Sequence, residues 1–227
     1  AIGAALASRP PMWRVVYVDN HDEAGKINGQ FRLASDVDAA NPASDLARRM
    51  CGLGALFTLT APGTPLIFFG NEMQESGTFH DDRPLDWGKR NRHAGLVALH
   101  RDLIRLRRNL DGAGIALKGV GIDTPVMDET RKLLVYTRWH EREPTRQFVV
   151  AVNLSGQPMT AAQVPFPAAG PWITRLYTDW TRYGGTSKED QAPFRFEGDV
   201  FKGRVALAPY SARLFTLASA GTAARAP

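Results

Sequence analysis

Cysteine is nearly missing from this sequence. Cys51 stands alone among 227 residues, so no internal disulfide can form and stability has to come from packing. It lies in an apolar stretch, where a lone cysteine reads as a small buried hydrophobe. Long apolar runs are missing as well: none approaches the ~20 residues that a helix needs to cross a bilayer, which excludes a membrane partner by that route. No secretory signal is visible, since Ala1–Ala7 has neither a basic flank nor an adequate apolar core, and the expected location is cytoplasmic. The chain also begins without Met, which points to processing, proteolysis or an incomplete sequence. Lysine is scarce (Lys26, Lys89, Lys118, Lys132, Lys188 and Lys202), so arginine supplies most of the 28 basic residues that stand against 23 acidic ones. The arginines are scattered. Their densest group, Arg101, Arg105, Arg107 and Arg108, fits the solvated side of an amphipathic helix, and a nucleic-acid partner is not expected.

What is present is ordinary globular material. Hydrophobic residues make up 44% and charged residues 22%, and 227 residues can enclose a real core. The first half alternates strand and helix. Trp13–Val18 is a short β-branched run of the kind buried on both faces of a sheet. Ser44 stands where a helix N-cap belongs, with Asp45 in the first turn, and Leu46, Met50, Leu53 and Phe57 recur as one apolar stripe. Pro62-Gly63 ends that helix, and Pro65–Phe69 is a second buried strand. A third periodic segment, Asn91–Leu110, carries a seam of Leu96, Leu99, Leu103, Leu106 and Leu110, with Gly112 or Gly114 as its stop. This order predicts parallel strands with crossover helices.

From about Gly114 the pattern changes. Leu133–Trp139, Gln147–Leu154, Trp172–Thr178, Arg204–Ala208 and Ala212–Leu217 are short aromatic and β-branched runs, as in an antiparallel β-sandwich. Trp139, Trp172 and Trp180 are expected in its core. Residues 218–227 are small and low in complexity, and read as a disordered tail.

Functional residues of parallel α/β folds gather beyond the C-terminal ends of strands. The first strand ends in Asp19-Asn20-His21-Asp22-Glu23. The second ends in Gly70-Asn71-Glu72, and its loop carries His80-Asp81-Asp82-Arg83 and Asp86-Trp87. Carboxylates, His, Asn and Trp around one mouth suit a carbohydrate, because polar groups bind hydroxyls and aromatic faces stack on sugar rings. His80, Asp81 and Asp82 lack the spacing of metal ligands. Without further information a polar strand end is as easily a capped turn; Glu72 reads equally as a structural acceptor or a ligand contact, and Trp87 as a stacking platform or as packing under its own loop.

Val18-Asp19-Asn20-His21-Asp22 resembles the last of the four short motifs of the α-amylase superfamily, glycoside hydrolase family 13, which closes barrel strand seven. Pro62-Gly-Thr-Pro-Leu-Ile-Phe-Phe-Gly-Asn-Glu72 is similar to that family's eighth strand, and Asp82-Arg-Pro-Leu-Asp-Trp87 is similar to the glucan branching enzymes and their hydrolytic relatives. The resemblance implies α/β plus all-β architecture: residues 1–112 as the C-terminal quarter of a (β/α)8 barrel, with Ala1–Ser8 ending helix six, and 113–217 as the C-terminal β-sandwich. It implies a parent enzyme that is a retaining α-glucan hydrolase or transglycosylase, acting on an α-glucan or malto-oligosaccharide. Asp22 would be the transition-state-stabilising carboxylate, His21 a donor to sugar hydroxyls, and Asn20, Glu23, Glu72 and Trp87 substrate contacts, with Asp19 and Asn20 positioning the turn.

The family's nucleophilic Asp and acid/base Glu follow earlier strands and have no counterpart here. A retaining mechanism needs that pair roughly 5 Å apart, so this chain alone is expected to be inactive. No cofactor is expected, and no metal; the family's calcium ligands lie largely upstream. A quarter of a barrel leaves strand edges and apolar helix faces uncovered, so self-association is expected. The competing reading is a non-catalytic carbohydrate-binding or structural fragment.

Overall fold

The computed structural model describes residues 14–25, 31–189 and 202–218. Ala1–Ser8, Trp13, part of the loop after Glu23 and residues 219–227 of the expected tail lie outside the described residues.

Two short parallel strands, β1 (Val15–Val16) and β2 (Thr64–Pro65), pair Val15 with Thr64 and Val16 with Pro65. The ladder is carried by Thr64 N donating to Arg14 O and Leu66 N donating to Val16 O, each at 2.8 Å, so Pro65 sits where no donor is required. The regular strand is shorter than the apolar run Pro65–Phe69. Between β1 and β2 come α1 (His21–Ala24), α2 (Leu33–Val37) and the long α3 (Asp45–Thr60). As expected, α3 starts at Ser44, whose Oγ accepts from Ala47 N at 3.2 Å.

The burial of α3 corrects the single stripe. Leu46 is 39% exposed, whereas every residue from Cys51 to Leu56 is buried. Such a helix is covered on most of its circumference, by Val18 just beyond β1 and by α2 on one side, and by α5 (Ala94–Arg108) on another. Gly54 permits this. A Cβ there would come within 2.8 Å of Val18 Cγ1 and 2.9 Å of Leu33 Cδ2.

The third periodic segment divides at His93 into α4 (Lys89–Arg92) and α5. Leu96, Leu99, Leu103 and Leu106 form the buried seam, but Leu110 is 54% exposed. The helix ends one turn early, on Asn109 with φ +57 in the left-handed region, rather than at Gly112 or Gly114. Arg107 departs from the solvated face: its guanidinium donates to Ala61 O at 2.8 Å and to Gly63 O, tying α5 to the turn before β2.

A short helix, α6 (Ile115–Lys118), leads into an antiparallel sheet ordered β3-β4-β5-β9-β7, faced by a two-stranded sheet β6-β8. The strands are β3 (Gly121–Asp128), β4 (Leu133–His140), β5 (Glu143–Asn153), β6 (Met159–Pro165), β7 (Trp172–Tyr177), β8 (Lys202–Leu207) and β9 (Ser211–Leu217). β3 and β6 escaped the sequence reading because their apolar residues are sparse. Phe166 joins the layers, with ring centroids 5.2 Å from Trp172 and 5.4 Å from Phe215. Trp172 and Trp180 are buried as expected, whereas Trp139 is only half-buried.

The sheet's other face meets the helices. Phe148–Asn153 on β5 is buried without alternation, since neither face reaches water. Tyr136, fully buried, hydroxyl-bonds Thr60 Oγ1 at 2.5 Å; Thr60 already donates to Leu56 O, so Tyr136 is the donor. Arg138, also fully buried, donates to Gly121 O at 2.9 Å, to Gly119 O at 2.5 Å and to Thr60 O at the C-terminus of α3. Burial pushes the Arg138 guanidinium down to about 10, still charged at neutral pH, and the negative end of the helix favours that charge. Arg49 completes the junction by meeting the buried Asp179 at 2.6 Å. One contiguous apolar core runs through the helices and both sheets.

Candidate functional site

The site is assembled where β1 and β2 end. Asp19, the first polar residue after β1, is 3% exposed. Its Oδ2 accepts from Leu33 N at 3.0 Å and its Oδ1 from Asn71 Nδ2 at 2.8 Å. One buried carboxylate thereby holds the start of α2 and the turn after β2, each partner satisfying one of its oxygens. Asn20 caps α1, its Oδ1 accepting from Asp22 N at 2.9 Å and Glu23 N at 3.0 Å. That leaves only its amide NH2 free for a ligand.

His21 and Asp22 are presented to solvent by this cap. Their side chains are 70% and 63% exposed, with His21 Nε2 3.3 Å from Asp22 Oδ1. Glu23 is half-buried beside them. Ala24 O accepts from Phe79 N at 2.7 Å, so the loop after β1 and the loop after β2 are stitched together a second time.

Arg32 is the residue that sequence reasoning missed. It is 3% exposed, donates to Phe69 O at 2.8 Å, and its guanidinium carbon lies 4.6 Å from the Phe68 ring and 5.3 Å from that of Phe69. Burial lowers its pKa, against the opposing pull of Asp19, Glu75 and Glu72. Its bond to Phe69 O holds the segment that leaves β2, in the field of three carboxylates. No signal in a single sequence separates this arginine from the surface ones.

After β2 the backbone turns at Gly70, φ +92, into a 3-10 turn, Asn71–Met73. Glu72 Oε2 accepts from Gly70 N at 3.1 Å, which gives that carboxylate a structural partner. Glu75 straps the following loop by pairing with Lys89 and accepting from Asp86 N, at 3.2 Å, and Ser76 N. On that strapped loop Trp87 is 65% exposed, so its ring does not pack beneath it. His80, Asp81 and Asp82 are exposed, and no group of three potential metal ligands exists among the described residues.

Residues 125–218 match the family of the alpha amylase C-terminal all-beta domain. The 1,4-alpha-glucan branching enzyme GlgB of Nocardia farcinica is 31% identical over 208 residues, covering 85% of this chain and 26% of the relative. That of Myxococcus xanthus is 27% identical over 212 residues, covering 87% of this chain and 27% of the relative. Over most of its length the chain is similar to these branching enzymes, and over residues 125–218 to the alpha amylase C-terminal all-beta domain. It spans about a quarter of the length of these curated relatives. Among solved structures, a pullulanase complexed with maltotetraose from an Anoxybacillus species aligns with a TM-score of 0.63 over 96% of this chain and 29% of that one. At 16% identity that likeness concerns the fold. No helix among the described residues is long and apolar enough to cross a membrane.

Proposed function

We propose that this chain is the C-terminal quarter of a (β/α)8 catalytic barrel, with β1 and β2 as strands seven and eight, followed by the β-sandwich, in a retaining enzyme acting on α-1,4-glucans. The observation that supports it is the pairing of two parallel strands whose ends are locked by Asp19 and Asn71, with His21 and Asp22 displayed just beyond. The relatives named as glucan branching enzymes support the substrate class.

In this reading Asp22 accepts hydrogen bonds from the hydroxyls of the distorted sugar, and His21 donates to them. Those bonds strengthen as positive charge develops at the anomeric carbon. Glu23 and the amide of Asn20 face the same cleft, Trp87 offers an exposed platform for a sugar ring, and Glu72 shapes the turn below it. The nucleophile and the acid/base are supplied by preceding barrel strands, so the 227 residues alone do not turn over glucan.

The test is the purified chain on amylose, following reducing ends and iodine colour together, with Asp22→Asn as control. The expected result is no turnover by either protein. Turnover that is lost in Asp22→Asn would place a nucleophile and acid among these residues and overturn the assignment of a quarter barrel.

A further inference from the structure

We propose that the cavity behind the Asn71–Met73 turn is a built site for one structural water molecule, held by Thr58, Gln74 and His100. The cavity measures about 20 Å³ and is lined by these three residues together with apolar groups such as Val18, Leu33 and Ala55. Room for a single water takes roughly 10–15 Å³ of such space, together with two to four polar partners. Asn71 and Glu75 also line it, but Asn71 already donates to Asp19, and Glu75 is engaged by Lys89, Asp86 N and Ser76 N.

Two of the polar partners are buried and unused. Thr58 is 3% and Gln74 2% exposed, and neither Thr58 Oγ1 nor Gln74 Oε1 has a hydrogen-bond partner among the described residues. Burying such groups alone is costly, so native structures rarely leave two of them lining one cavity without a bridge. His100, 4% exposed, lies 2.9 Å through Nδ1 from Leu96 O. A carbonyl only accepts, so Nδ1 carries the proton. Burial lowers the pKa of His100 and keeps the ring neutral, which leaves Nε2 as an acceptor.

The set matches one water. Its two hydrogens go to Gln74 Oε1 and His100 Nε2, and its oxygen accepts from the Thr58 hydroxyl. The three partners belong to different elements: Thr58 to α3, His100 to α5, and Gln74 to the loop after β2. Gln74 is in the left-handed region, φ +56, and its Nε2 already donates to Pro42 O at 2.8 Å. The water would fix the other end of the Gln74 amide. It would therefore anchor the turn bearing Glu72 to the helices behind it. The site stands whether or not the chain acts on glucans.

The two occupancies give opposite signs for Thr58→Val, a swap of nearly equal volume. Over a dry cavity the substitution removes an orphaned hydroxyl and raises Tm. Over a bound water it removes the water's donor and lowers Tm by about 2–4 °C, while Thr58→Ser, which keeps the hydroxyl, retains the bridge. We expect the fall in the full chain. The same chain crystallised to about 1.8 Å is expected to show one ordered water within roughly 3.2 Å of Thr58 Oγ1, Gln74 Oε1 and His100 Nε2. A Thr58→Val protein that melts at or above the unsubstituted chain, or a cavity without density, overturns the proposal.

Discussion

Asn71 donates its side-chain amide to the buried carboxylate of Asp19 across 2.8 Å, and this bond joins the ends of the two parallel strands. Asp19 also holds Leu33 N, so its loss leaves two donors without an acceptor at a site 3% exposed. Asp19→Ala is expected to cost about 2–4 kcal/mol in urea denaturation. Asp22→Ala, at a side chain 63% exposed, is expected to change stability by less than about 0.5 kcal/mol. Equal costs would show that the two aspartates do not divide into a holding and a presented residue.

Asp179 predicts the acid limb of the stability curve. It is 1% exposed and accepts from Arg49, Thr186 Oγ1 and Ser187 Oγ. Desolvation raises its pKa, but these bonds outweigh that and hold it below the ordinary carboxylate range. The folded value is therefore below the unfolded value of about 3.9, so its contribution is complete above that pH and disappears as the pH falls through the folded value. Asp179→Asn is expected to destabilise the chain by about 3–5 kcal/mol at pH 7, as when a buried pair loses one partner, and to flatten the loss of stability below pH 4. Denaturation midpoints from pH 2 to 7 measure both effects.

Tyr136 and Thr60 form a buried hydroxyl pair between β4 and α3. Tyr136→Phe is expected to cost about 1–2 kcal/mol with the fold intact. A double-mutant cycle with Thr60→Val should return a coupling of about 0.5–2 kcal/mol, and additivity would deny the bond.

The uncovered side of the small parallel sheet gives an expectation for behaviour in solution. Val15 is 51% exposed, Tyr17 39%, Leu66 38% and Phe69 47%, a group of large apolar side chains on adjoining segments. Light scattering of the chain should show concentration-dependent dimers or larger species, reduced by Val15→Lys with Leu66→Lys. A monomer at high concentration would mean that this surface is tolerated in water.

The sequence disclosed those features that repeat or punctuate. The Ser44 cap, the leucine seam of α5 and the aromatic strands of the sandwich were legible because each follows a period or a local hydrogen bond. The polar run Asp19–Glu23 stood out because it directly follows a β-branched run, although that run is not buried on both faces as expected: Val15 and Tyr17 are exposed. Distances in space were not. Arg32, Arg107 and Arg138 have the composition of surface residues, yet each is turned inward by carbonyls that lie 37, 46 and 78 positions away in the chain. Leu46 and Leu110 fit the helical spacing but fall beyond the reach of the layer that covers their neighbours. Likewise, β3 and β6 draw their stability from cross-strand bonds that no local pattern reports.

Gly54 sets a thickness. With no side chain between them, the α3 backbone rests directly on Val18 and Leu33, the residues adjoining Asp19 and Arg32. The height at which His21 and Asp22 stand is thus determined from behind, by how deeply a helix can sink. A single methyl at position 54 would act as a shim, lifting the strand end and shifting the alignment of the displayed pair without touching either of them.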